Sequence, residues 1–125
     1  MPYINVKLNL DENINLRDKI VDVVLENTTN ILGKNRDVTS VLVEFVPQKA
    51  WSVGGKNVPT FYLEIKITKG TNTKAQKSQY IQAIYKEFEK LLGQIHKESY
   101  VLIHEIDADA WGFEGITQES RFIKG

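Results

Sequence analysis

Tyr3-Ile4-Asn5-Val6-Lys7-Leu8, close to the start of the chain, is matched without a gap by Tyr62-Leu63-Glu64-Ile65-Lys66-Ile67. Both stretches read as half-buried strands, because apolar and polar side chains alternate with the two-residue period of a pleated backbone. Over residues 3–10 the apolar set is Ile4, Val6, Leu8 and Leu10; over 61–68 it is Phe61, Leu63, Ile65 and Ile67. Working outward, each strand leads into a helical pattern. Leu16, Ile20, Val23, Val24, Ile31 and Leu32 recur at helical spacing after the first, and Gly33 is placed to stop it. After the second, Thr73-Lys74-Ala75-Gln76 has the form of a capping box, and Ile81, Ile84, Tyr85, Phe88, Leu91 and Leu92 make the apolar stripe before Gly93. Further strands are expected at 41–46 and 100–106. Each is followed by an aromatic–glycine segment, Ala50-Trp51-Ser52-Val53-Gly54-Gly55 and Ala110-Trp111-Gly112-Phe113-Glu114-Gly115.

From Gly33/Gly93 through Trp51/Trp111 to Gly55/Gly115 the two copies keep one register, which marks a duplicated β-α-β unit. The expected organisation is one domain over 1–125, with repeat units at about 1–59 and 60–125. A helix crosses between the two strands of each unit, so those strands are expected to be parallel. The fold class is then α/β (α+β): a four-stranded mixed sheet with two helices on one face. The opposite face would carry Tyr3, Tyr62, Leu42, Leu102 and Tyr100 among polar residues. Uncovered side chains of that kind favour self-association. A monomeric ferredoxin-like sandwich has a similar order of elements and is the rival architecture.

Composition narrows the function. Lys plus Arg equals Asp plus Glu at 16 each, so no overall field steers the chain to nucleic acid or to an anionic membrane. With no cysteine there is no thiolate chemistry and no disulfide. No apolar run has the length of a membrane span and no secretory leader is evident, so the expected compartment is the cytoplasm. The only histidines are His96 and His104, and no Gly-x-Ser-x-Gly elbow accompanies them. Asp107-x-Asp109 begins like a calcium loop but continues with Trp111 and Gln118 where oxygen ligands are required. No metal is expected.

Met1-Pro2-Tyr3-Ile4-Asn5-Val6-Lys7 resembles the amino terminus of the 4-oxalocrotonate tautomerase family. Thr39-Ser40-Val41, the Ala50–Gly55 segment and Glu105-Ile106-Asp107-Ala108-Asp109-Ala110-Trp111-Gly112 are similar too, and the likeness extends over nearly the whole chain. Fused members of the superfamily, with two units in one polypeptide, include a malonate semialdehyde decarboxylase and a cis-3-chloroacrylic acid dehalogenase. The resemblance implies a homotrimer without a cofactor, acting on a small oxo acid or its enol. Removal of Met1 would expose the secondary amine of Pro2 as general base. A terminal amine titrates closer to neutrality than lysine, and an apolar pocket lowers its pKa further. The plain structural alternative is a proline that merely precedes a strand, where it costs no ladder hydrogen bond. Phe61 occupies the matching position of the second unit, so at most one such site per chain is expected.

The arginines with which the family binds dicarboxylates are missing. Leu42 and Leu102 stand at the second-strand positions, and Thr68-Lys69-Gly70-Thr71 follows the strand that opens the second unit. Lys69 can serve as a replacement cation without arginine's bidentate fork, or be a solvated strand-end lysine. The carboxylate that accompanies proline in the decarboxylase falls at Ser40. By resemblance Trp111 and Trp51 border the site and Tyr3 offers a hydroxyl, with packing at a subunit interface as the alternative for all three. Three functions follow: a proline-dependent tautomerase, a related dehalogenase, hydratase or decarboxylase, or a trimeric binding protein that has lost catalysis.

Overall fold

The computed structural model describes residues 2–124, with side chains through Arg121. Strand β1 (Tyr3–Leu8) leads to helix α1 (Ile14–Leu32) and strand β2 (Ser40–Phe45), and strand β3 (Phe61–Thr68) leads to helix α2 (Lys74–Leu92) and strand β4 (Tyr100–Ile106). The sheet order is β2-β1-β3-β4, parallel within each β-α-β unit and antiparallel where β1 meets β3. This is the expected mixed sheet. A hairpin of β5 (Gly112–Phe113) and β6 (Ile116–Thr117), followed by helix α3 (Gln118–Lys124), completes the chain.

Local sequence accounts for each boundary. The Asn13 side chain accepts from the amides of Asn15 and Leu16 and so caps α1, and Gly33 closes that helix in the left-handed conformation that a Cβ would disfavour. Thr73 and Gln76 form the reciprocal capping box of α2. β1 ends two residues earlier than its alternation suggests. Buried Asn9 turns its side chain to the loop before β3, donating to the Val58 carbonyl (2.7 Å) and accepting from the Thr60 amide (2.7 Å).

Ile4, Val6, Leu8, Phe61, Leu63, Ile65 and Ile67 are fully buried against α1 and α2. One residue of the α2 stripe differs from expectation. Ile81 is exposed, and Tyr80 takes the buried position with Ile84 and Phe88. Tyrosine is tolerated there because its hydroxyl meets the Thr28 hydroxyl of α1 at 2.8 Å, which satisfies a polar group inside the core.

Strand register arranges the opposite face into three rows across β2, β1, β3 and β4: Ser40-Tyr3-Lys66-His104, Leu42-Asn5-Glu64-Leu102 and Glu44-Lys7-Tyr62-Tyr100. Leu42, Leu102 and Tyr100 are 44%, 42% and 55% exposed on it. Several polar side chains on this face are paired with one another. Asn5 donates to Glu44 (3.2 Å), and Glu64 lies 3.6 Å from Lys66 and 3.7 Å from His104.

Candidate active site at the Pro2 end of the sheet

Register brings several chain segments to one end of the sheet. Tyr3 pairs with Ser40 on one side and Lys66 on the other, so the starts of β1 and β2 lie beside the ends of β3 and β4. α1 returns its C-terminus to this end, and α2 begins there. Two hydrogen bonds join them: Asn72 Nδ2 to the Leu32 carbonyl (2.9 Å) and Lys34 Nζ to Thr71 Oγ1 (2.7 Å).

Pro2 stands one pleat before Ile4, on the helix side of β1, and is buried. Its carbonyl accepts the Ser40 amide at 3.1 Å, which fixes the residue at the head of the sheet. Ser40, at the position of the decarboxylase carboxylate, thus contributes its backbone. Met1, whose removal would free the Pro2 nitrogen, lies outside the described residues.

Lys69 lies just past β3, its amide bonded to the Ile106 carbonyl and its ammonium 4.0 Å from Asp107. Both side chains are 69% exposed, so this cation is solvated and already faces a carboxylate. Lys77 is likewise paired, at 2.8 Å from Glu105; the donated hydrogen bond holds the Glu105 carboxyl below the usual carboxylate range. Lys34 differs. It is half-buried, its partner Thr71 is neutral, and burial holds its ammonium below the usual lysine range. A partly buried cation with a neutral partner is more receptive to an anionic ligand than Lys69 or Lys77, each of which already faces a carboxylate. Sequence reasoning passed over Lys34. The available signal was its place directly after the helix-stopping Gly33, but only the Thr71 contact distinguishes it from an exposed loop lysine.

The remaining expected residues divide. Tyr3 belongs to this end but projects to the open face, away from the pleat that carries Pro2. Trp111 follows β4 as that strand leaves the same end. Trp51 follows β2 at the opposite end, the length of β1 away, roughly 20 Å. There it lines an open cleft of about 470 Å³ with Lys7, Val46, Ala50, Tyr62 and Glu64. Within one chain, therefore, Trp51 and Pro2 do not share a pocket.

No family model matches the chain, and no curated protein matches it significantly. Solved structures do. The "R7 fused 4-OT wild type asymmetric trimer" is 20% identical with a TM-score of 0.88, over 96% of this chain and 98% of that one. Pt0534 inactivated by 2-oxo-3-pentynoate is 16% identical with a TM-score of 0.87, over 95% and 98%. A macrophage migration inhibitory factor-like protein from Entamoeba histolytica is 20% identical with a TM-score of 0.78, over 93% and 97%. The match is as long as the neighbours themselves and includes both β-α-β units. The chain thus has the tautomerase fold in its fused, two-unit form.

Proposed function

We propose that the chain is a tautomerase-superfamily isomerase that interconverts keto and enol forms of a small 2-oxo acid, with the Pro2 amine as general base. The observation that carries this reading is the buried Pro2, held at the head of β1 by the Ser40 amide, at the same end as partly buried Lys34. After loss of Met1, the Pro2 nitrogen would be a secondary amine in an apolar setting, with a pKa drawn toward neutrality. It would take a proton from the carbon beside the carbonyl and return it to oxygen. Lys34 would hold the carboxylate as a point charge, with Lys69 at the rim and Trp111 as a wall. A single partly buried cation suits a monocarboxylate better than a dicarboxylate, in keeping with Leu42 and Leu102 at the arginine positions.

In this reading the chain works as a cytoplasmic homotrimer that buries the Leu42–Leu102 face. Among the described residues no helix is long and apolar enough to cross a membrane. Fused 4-OT neighbours are trimers, and a trimer is the means by which Trp51 of one copy would approach Pro2 of another. The exposed leucines on that face also favour a second reading, a trimeric binding protein without turnover.

Intact mass of the protein, paired with ketonisation of phenylpyruvate enol by wild type and Pro2→Ala, separates the two. Loss of Met1 with activity that collapses in the variant is the expected result. Retained Met1, or activity indifferent to Pro2, sinks the proline mechanism.

A further inference from the structure

Two hydrogen-bonded turns meet at the Trp51 end of the sheet. In the first, the Trp51 amide donates to the Gln48 carbonyl at 3.2 Å, and Asn57 Nδ2 donates to the Gln48 and Trp51 carbonyls at 3.1 and 2.9 Å. Val53 and Lys56 then exchange backbone hydrogen bonds of 2.8 and 3.1 Å across Gly54 and Gly55, whose positive φ of 59° and 80° the tight turn requires. In the second turn the His96 amide donates to the Pro59 carbonyl at 2.9 Å, and the Glu98 amide donates to His96 Nδ1 at 3.0 Å. Backbone groups tie both turns, so Trp51 and Glu98 are presented from fixed positions.

Tyr62 of β3 and Tyr100 of β4, directly opposed in the parallel register, complete the surroundings. Trp51, Tyr62, Tyr100 and Glu98 line one open cleft of about 550 Å³, a volume within the range of small-molecule sites. Among the described residues that line it, Glu98 carries the only formal charge. Tyr100 donates its hydroxyl to Glu98, which ties the carboxylate to the rings. Lys7 lines the adjoining cleft, together with Glu64, and not this one. Both phenols are held above the ordinary tyrosine range, Tyr62 by burial and the Glu64 charge, Tyr100 by its bond to Glu98. Added negative charge is thus disfavoured at this end of the sheet.

We propose that this cleft binds a small N-methylated ammonium ion free in solution, with the three rings as its walls and Glu98 as its counter-ion. The faces of tryptophan and tyrosine rings are electron-rich and attract a weakly hydrated cation, and the carboxylate adds a full charge of the right sign. A primary ammonium needs an acceptor for each N–H, whereas an alkylated one needs only contact and charge. A metal ion is less suited, because rings supply no ligand oxygen and no group of three or more His, Asp or Glu is placed to hold one among the described residues. An anion would meet Glu98. Tyr62 and Tyr100 stand in the row beyond Leu42 and Leu102, at the end of the sheet away from Pro2 of the same chain. The inference is therefore separate from the proline chemistry.

Choline is the probe, and its uncharged tert-butyl analogue, in which carbon replaces the nitrogen, is the control. The methyl proton resonance of each is followed by NMR as the full-length protein is added. The expected result is a saturable upfield movement of the choline signal, because protons held over ring faces are shielded. The analogue should bind roughly tenfold more weakly, for want of the charge. Glu98→Gln keeps an acceptor for Tyr100 and should weaken choline binding about fivefold while leaving the analogue unaffected. Trp51→Leu should remove most of the upfield movement, with circular dichroism showing that both variants remain folded. Equal binding of the analogue would make the cleft merely apolar and overturn the inference. An unmoved choline signal would do the same, as would a movement indifferent to both substitutions. Binding to phosphatidylcholine vesicles without binding to free choline would assign the chemistry to a lipid headgroup and likewise overturn it.

Discussion

Replacing Thr28 by valine should cost more stability than replacing its partner Tyr80 by phenylalanine, and making both changes should cost less than Thr28→Val alone. The reason lies in how the protons are assigned. Thr28 Oγ1 lies 2.7 Å from the Val24 carbonyl, which can only accept, so the Thr28 hydroxyl donates there. Tyr80, 2.8 Å away, must then donate to Thr28. Its burial pushes phenol ionisation well above the ordinary tyrosine range, so the hydroxyl remains a donor at any working pH. Thr28→Val strands that donor in the core, at about 2 kcal/mol. Tyr80→Phe removes the donor while Thr28 keeps Val24, a loss of about 1 kcal/mol. In the double variant no polar group is left stranded, and apolar groups of the same shape fill the space, so the cost returns to about 1 kcal/mol. The coupling is then about 2 kcal/mol. Urea denaturation followed by far-ultraviolet circular dichroism would show Thr28→Val with its midpoint lowered by about 1 M. Protein concentration must be held constant, because self-association would add to apparent stability. Single-variant costs that simply add, or a Tyr80→Phe cost larger than that of Thr28→Val, would refute the assignment.

Lys34→Met should raise KM for a 2-oxo acid about tenfold with kcat little changed, since a charge-assisted contact to a non-reacting carboxylate would be lost. Initial-rate kinetics check it. The same substitution carries a pH signature. Burial lowers the Lys34 pKa in the folded chain, so near the usual lysine range the unfolded chain binds more protons and stability rises with pH; Lys34→Met should flatten that rise in alkaline denaturation curves. Glu105 has the opposite consequence at low pH. Its depressed folded pKa contributes stability above the unfolded carboxylate pKa, and this is lost as pH falls through the folded value. Lys77→Met, which removes the cause of the depression, should move the acid-unfolding midpoint to higher pH, and an unchanged midpoint would show that the pair contributes nothing.

Most of the architecture was written in periodicity. The alternation at 3–10 and 61–68, the two helix-stopping glycines and the Thr73–Gln76 box are local signals, because propensity, capping and amphipathic pattern act within a few residues along the chain. The duplication made each half a check on the other. Where local signals misled, a long-range contact was responsible. Asn9 ends β1 early through bonds to Val58 and Thr60 some fifty residues away, and buried Tyr80 displaces Ile81 from the core because Thr28 of the other helix can satisfy its hydroxyl. The site divides in the same manner. Pro2, Lys69, Trp111, Trp51 and Tyr3 could be named from motif and position, whereas their grouping could not. Antiparallel pairing of β1 with β3 decides that Pro2 lies beside the ends of β3 and β4 and that Trp51 belongs to the far end. It also selects Lys34 over the other lysines, since desolvation and partner choice depend on which segments pack together in space. Sequence alone thus determined the elements and the candidate base. Tertiary structure decided which lysine is partly buried beside a neutral partner and which face is open, because burial and hydrogen-bond satisfaction are properties of the folded arrangement of segments and not of any one of them.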